Sequence, residues 1–350
     1  MSLFNIEKLE TAMKQIEWIP RGARTRLLGA IAVAILGAVP AIGIAQDSST
    51  TYPGRPIRFL VPYPPGGGND LFARVVGQKL SEQIGQPVVV ENRPGAAGLI
   101  AGDALARAAP DGYTIMVDQS SIATNQLLYK KLPFDLRRDI APVLWGATLD
   151  NAVLVSSQSP IRTVADLIAL ARSKPGAIAY GSTGVGSSQH LAMELMRAQA
   201  GINLLHVPYK GTAAAIMAVS ADEVQVFIIS AATAQGYVKS GKVRAIATTG
   251  KKRSPVMLDV PTMIEAGLPN YTNYNWLGIF TTAGTRPVVI EKLNALLSKA
   301  VNDPGVRDTL GKQGWELASG SPQALRQLID EETARYEKVI RDGGIQIDQP

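Results

Sequence analysis

The sequence predicts an α/β chain of two domains joined by a pair of crossing strands. Three observations predict this. Short β-rich runs alternate with helical stretches almost throughout, as in parallel sheets flanked by helices. A chain of 350 residues with 46% apolar content can fill two cores of ordinary size. Two segments without strong turn signals, 144–155 and 275–281, can each run as an extended strand from one domain to the other and act together as a hinge.

The first 45 residues differ from the remainder. Arg21, Arg24 and Arg26 lead into an apolar stretch at 27–44, followed by Ala45. This order predicts a cleaved signal peptide at 1–45 and export to a periplasm. The competing reading is a retained membrane anchor. Residues 46–53 read as a disordered lead-in. The expected strands fall at 57–61, 88–91, 114–118, 152–156, 178–181, 224–229 and 243–248. The expected helices fall at 69–84, 97–108, 164–173, 187–200, 287–302 and 322–341. The clearest is the first, where Leu71, Phe72, Val75, Val76, Leu80 and Ile84 share one side and Gly85 stops the run. The domains follow as 53–148 plus 276–350 for the first, which is discontinuous, and 149–275 for the second.

Composition removes several function classes. The formal charge is +6, and it falls to +4 after residue 45 because five Lys or Arg and three Glu precede that point. So modest a charge, with no basic run longer than 251–253, does not mark a nucleic-acid binder and suits an anionic small ligand. Cysteine is absent, which removes disulfides, thiolate metal sites and a lipidated N-terminal Cys. The only histidines, His190 and His206, are too few for the usual zinc site. No metal or cofactor is expected. No large exposed apolar patch is marked, so a monomer is expected.

The stretch "PYPPGGGND" at 62–70 carries the first candidate site, with Tyr63, Pro65, Gly66, Gly67 and Asp70. Its prolines end a strand, its glycines permit positive φ and close approach, and Asn69 or Asp70 can cap the following helix. The free N–H groups at such a helix start attract anions. A nucleotide phosphate, a carboxylate and a plain tight turn compete here; the P-loop and dinucleotide spacings are absent, which disfavours the first. "YGSTGVGSSQHL" at 180–191 repeats the design, with Ser182, Thr183, Gly186, Ser187, Ser188 and His190. "HVPYKGTAAA" at 206–215 offers Lys210, Gly211 and Thr212. Two such helix starts from different domains, facing one cleft, would hold a carboxylate in backbone donors and hydroxyls. An α/β enzyme with His190 as base for Ser187 or Ser188 is the rival from another class, and it lacks an orienting partner for the histidine.

With these motifs in place, the chain resembles the Bug-type extracytoplasmic solute receptors, the substrate-binding component of tripartite tricarboxylate transporters. The resemblance spans about residues 53–342. It rests on "YPGRPIRFLVPYPPGGGND", "VENRPGAAGLIA", "APDGYTIM", "LYKKLPFD", "YGSTGVGSSQHL", "HVPYKG", "DVPTMIEAGLPNY" and "AGTRPVVIEKLN" in that order. It implies a type II-like periplasmic-binding-protein fold that closes like a flytrap on a carboxylate, held between residues 63–70 and 182–188, partly through water. The implied partners are membrane permease subunits; a sensing adaptor for a receptor kinase would use the same trap. Ile122, Thr212 and the run Ile228, Ile229, Ser230, Ala231, Ala232 depart from the family pattern toward a less polar distal pocket. With Trp276 beside the second crossing, they suggest an aromatic mono- or dicarboxylate rather than citrate. Trp276 can equally pack the hinge. Ser121, Thr233 and Lys210 are the candidates for a second polar end of the ligand.

Overall fold

The computed structural model describes residues 52–345, so the expected signal segment lies outside the described residues. The first strands, β1 (Ile57–Val61), β2 (Val88–Asn92) and β3 (Thr114–Gln119), lie parallel in the order β2-β1-β3. Ile57, Phe59, Leu60 and Val61 are fully buried because helices cover both faces of the sheet. Helix α1 (Gly68–Ile84) buries Phe72, Val76 and Leu80, one turn apart, against it. Gly85 ends that helix at φ 65, returning its N–H to the Ser81 carbonyl. Helices α2 (Leu99–Ala106), α3 (Ser121–Leu128) and α4 (Leu136–Asp139) complete this part of the chain.

Strand β4 (Ile140–Ser156) then crosses into a second lobe. There α5 (Val164–Ser173) starts at a capping box between Thr163 and Asp166. The remaining elements are β5 (Ala179–Ser182), α6 (Ser188–Ala200), β6 (Leu205–Pro208), α7 (Thr212–Ser220), β7 (Val226–Ser230), α8 (Ala231–Lys239) and β8 (Val243–Thr248). Strand β9 (Tyr274–Thr282) returns the chain to the first lobe. It is followed by α9 (Pro287–Val301), α10 (Pro304–Gly311), β10 (Glu316–Gly320) and α11 (Pro322–Asp342).

The sheet runs β2-β1-β3-β9-β4-β7-β5-β6, with β10 and β8 also on β4. β4 is the strand both lobes share. Its residues from Ile140 to Asp150 pair with β9, and those from Asn151 onward pair with β7 and β8. The two extended crossings expected from the sequence are therefore β4 and β9, antiparallel to each other rather than part of an all-parallel array. One boundary needs correction. The C-terminal helix α11 was assigned whole to the first domain, yet Leu325, Leu328 and Ile329 join the first lobe's core while Tyr336, Val339 and Ile340 join the second's. A 21-residue helix is about 30 Å long, enough to span both.

A chain of side-chain amides fixes the two crossings at the point of transfer. Asn151 donates to Asn273 Oδ1 at 2.8 Å, and Asn273 donates to the Tyr336 hydroxyl at 2.6 Å. Asn275 donates to Asn151 Oδ1 at 3.4 Å and accepts from Ser120 at 3.3 Å. Asn151, Asn273 and Tyr336 are all buried, so each unmade bond carries a desolvation cost. Asn273→Ala strips Tyr336 and Asn151 of these partners. Thermal denaturation should show a loss of about 2–3 kcal/mol, or ~5 °C in Tm, and a change within 1 °C would refute the role given to this network.

Candidate functional site

The glycine loop leaves the C-terminal end of β1, where open α/β sheets place their ligands. Gly66 adopts φ +88, and Gly67 is the helix N-cap with no side-chain hydrogen bond. Neither Asn69 nor Asp70 caps, contrary to the expectation from sequence. Asp70 instead turns back under the loop, where its carboxylate accepts the Gly66 N–H at 2.9 Å, Asn92 at 2.9 Å and Arg74 at 3.0 Å. The Arg74 hydrogen bonds lead in lowering its pKa to about 2. Asp70 therefore organises the loop from within and takes up the Gly66 donor. The N–H groups of Gly67, Gly68 and Asn69 have no partner among the described residues.

Gly67 and Gly68 border a cavity of about 400 Å³. Opposite them stands the start of α8, where Ser230 is the N-cap and accepts the Thr233 N–H at 3.3 Å. Leu149 of β4, Lys312, Gln313 and Trp315 supply further walls. Gly68 packs closely on the opposite wall, since a Cβ there would lie 3.2 Å from the Trp315 indole. Of the residues singled out from sequence, the cavity collects Gly66, Gly67, Ser230, Ala232 and Thr233. None from Ser182 to His190, nor from Lys210 to Thr212, lines it. Pro65 is exposed at the loop's crest, and Lys210 is exposed at the start of α7, where Gly211 caps with φ +95.

Tyr63 and Ser121 do meet, with their hydroxyl oxygens 3.1 Å apart. Beside them lies Asp118, which belongs to none of the glycine or hydroxyl motifs. It ends the apolar run of β3 at the sheet's ligand-facing edge, and that position was the available signal. Trp315 and Lys312 carried no local signal.

The hydroxyl loop forms a separate unit. Ser187 caps α6 by accepting the His190 N–H, while Thr183 donates to Gln189 at 2.9 Å and Ser188 to the same oxygen at 3.3 Å. Gly186 N–H donates to His190 Nδ1 at 3.0 Å, so the imidazole proton resides on Nε2. Tyr180, His206 and His190 stack in parallel, with the two imidazoles 4.0 Å apart. Burial, then His206, lowers the pKa of His190 to about 4. Glu194, beneath the stack, binds the Tyr180 hydroxyl and Arg197.

Two expectations fail. Trp276 is fully buried and Ile122 is 2% exposed, both within one apolar core with Leu60, Met116 and Phe280. Trp276 packs the hinge and does not face the cleft, because β9 directs that ring into the first lobe's interior.

A family profile described as the tripartite tricarboxylate transporter family receptor matches residues 72–345. The chain belongs to this receptor family. Protein BugT of Bordetella pertussis is 33% identical over 325 residues, covering 92% of this chain and 99% of BugT. A Rhodopseudomonas palustris protein, Rpa4515 with adipate, superposes with a TM-score of 0.71 at 33% identity, covering 84% of this chain and 99% of that one. MatC of the same organism, with bound malate, superposes at 0.67 and 30% identity, covering 83% and 100%. The receptor is thus a Bug-type solute-binding protein of a periplasmic family of substrate-binding receptors rather than enzymes. Its geometry agrees. Ser182 contacts His206 Nε2 at 2.6 Å but is fully buried, and His190 faces a backbone N–H, so neither serine–histidine pairing presents a nucleophile. Among the described residues, no helix is long and apolar enough to cross a membrane.

The stacked histidines predict acid sensitivity of the receptor. An unfolded histidine takes up a proton as pH falls below about 6.5, whereas His190 resists until about 4. Stability is therefore complete above about 6.5 and falls through that window, by up to about 3 kcal/mol from His190. Denaturant titrations at pH 7 and pH 4.5 should show this loss, and His190→Gln should reduce it. An equal loss in the variant would assign the effect elsewhere.

Proposed function

We propose that the protein captures a small carboxylate between its lobes and delivers it to a tripartite tricarboxylate-type membrane transporter. The observation that carries the reading is the pair of helix N-termini, α1 and α8, facing one another across the 400 Å³ cavity. Unpaired N–H groups and hydroxyls aimed at one space suit an anion that needs donors, and the volume suits a small ligand. A dicarboxylate fits two opposed donor sets, one at each end. The adipate and malate held by Rpa4515 and MatC support that class.

An aromatic carboxylate is the second reading. Ile122 and Trp276 no longer support it; what remains in its favour is that Trp315, 8% exposed, borders the cavity. In either case the moving bodies are residues 53–148 with 276–350 and residues 149–275, amended by the end of α11. Rotation about β4 and β9 would carry the hydroxyl loop at 182–188 toward the glycine loop. The signal segment at 1–45 completes the reading as the export sequence.

Thermal denaturation of the exported portion with adipate, malate, citrate or benzoate tests the reading. A ligand at about 100 times its Kd adds roughly 2.7 kcal/mol of stability, a readable shift in Tm. Gly67→Val is the matching variant. Gly67 has φ −79 and only Pro64 O within 4 Å of its built Cβ, at 3.7 Å, so the fold should keep its Tm. Affinity should fall at least about tenfold as the side chain screens the donors. Unchanged affinity would remove the glycine loop from the site. A shift with benzoate alone would favour the aromatic reading, and no shift with any acid would end the carboxylate assignment.

A further inference from the structure

Trp315 follows the turn that ends α10. Its backbone N–H returns to the Leu310 carbonyl at 3.2 Å, and its ring enters the first lobe's core with Val306 and Leu310. Gly314, just before it, has φ +80, and a Cβ there would lie 2.7 Å from the Ala232 Cβ in the first turn of α8. The turn therefore rests on the second lobe's helix start, and glycine suits both the conformation and the space. On its other side, the indole edge that carries Cζ2, Cε2 and Nε1 faces Gly68 at the start of α1. Trp315 is thus held between the two helix N-termini that border the cavity.

The described residues include three tryptophans, Trp145, Trp276 and Trp315. The Nε1 atoms of Trp145 and Trp276 are sealed in the interior without a partner. Trp315 differs. Its side chain is more than nine-tenths buried, at 8% exposure, and its Nε1 has no hydrogen-bond partner among the described residues, yet that atom is not sealed. The ring borders the cavity, so its N–H opens to that space. A buried donor without a partner carries a desolvation cost that a ligand acceptor removes.

Nε1 lies 3.9 Å from the point where Gly68 would carry a Cβ. Two donors that share one carboxylate can stand roughly 6 Å apart, with a hydrogen bond of about 2.9 Å to each oxygen. The indole N–H and the unpaired Gly68 N–H are therefore within reach of one ligand group. We propose that Trp315 is a ligand-contacting specificity residue, donating its indole N–H to a carboxylate oxygen of the captured ligand beside the N-terminus of α1. This rests on the reading that a carboxylate occupies the cavity. An indole N–H donates and never accepts, so it takes a carboxylate and rejects an ammonium at the same place. A ligand with one carboxylate and one cationic or apolar end is thereby oriented, with its carboxylate toward α1 and its other end toward α8.

Nuclear magnetic resonance of the indole N–H groups tests this, in protein carrying Trp18→Phe so that only Trp145, Trp276 and Trp315 report. Without ligand, one indole proton should exchange rapidly with water and two slowly, because two are sealed. Adipate, malate or benzoate, whichever binds, should move the rapidly exchanging signal downfield and slow its exchange, leaving the other two in place. Trp315→Phe keeps a ring against Gly68 and removes only the donor. Its affinity for the same acid should fall about 10- to 100-fold, as for a lost hydrogen bond to a charged group. If that variant fails to fold, the wild-type indole signal decides alone. An acid that binds while the rapidly exchanging signal stays unmoved overturns the inference and leaves carboxylate capture standing. A folded Trp315→Phe that binds within twofold of wild type also overturns it, since packing alone would then account for the ring. Failure of all three acids to bind removes the carboxylate reading and this inference together.

Discussion

The hydrogen-bonded amides of Asn151, Asn273 and Asn275 set the relation between everything before β4 and everything after it. Two apolar cores meet along one strand, and apolar contact alone would tolerate slippage between β4 and β9. Buried amides do not tolerate it, because a one-residue slip would leave several donors and acceptors unpaired at once. β4 also carries register shifts between Pro142 and Leu144 and between Trp145 and Ala147 on β9, and between Val153 and Leu154 on β8. Such irregularities bend and twist a strand, which is what one strand needs to serve two differently oriented halves of a sheet.

That fixed junction gives the cleft its chemistry. α1 and α8 follow strands on opposite sides of β4, and their first turns meet across the cavity because the shared strand holds both. The glycine loop keeps its own charges occupied. Asp70 and Arg74 satisfy one another at 2.9 Å, leaving the surface toward the cavity to backbone N–H groups. Donors of this kind select an anion by direction rather than by net charge. They also avoid the desolvation cost of burying a guanidinium that must later give its ligand up.

Sequence reading recovered the elements whose signals are local. β1 and β8 fall on the expected residues, and α5 begins at the Thr163 capping box and ends where expected. α8 was missed because it buries only Ala231 and Ala234 and so lacks an apolar stripe. Its role in the cavity depends on β7 pairing with β4, which no local pattern encodes. Trp276 shows the converse. A tryptophan beside an expected hinge reads equally as a wall of the cleft or as filling of the core, and only the pairing of β9 between β3 and β4 decides which way it faces. Asp118 looks like any acid after a strand until β1, β9 and the turn at Gly98 close around it.

The two lobes thus approach the ligand with opposite protonation problems and the same solution. In the second, burial keeps the stacked imidazoles of His190 and His206 neutral, so the hydroxyl loop is held by dipoles and carries no positive charge at neutral pH. In the first, burial holds Asp118 near the boundary between acid and carboxylate. On the proposed reading, neither loop attracts the other across an empty cleft, since neither offers the opposite charge. A bound carboxylate changes that balance by accepting donors from both sides, so the free energy that favours closure comes mainly from the ligand. A flytrap built from dipoles should therefore stay open until it is filled, and it gains the ability to discriminate by where the ligand's oxygens lie.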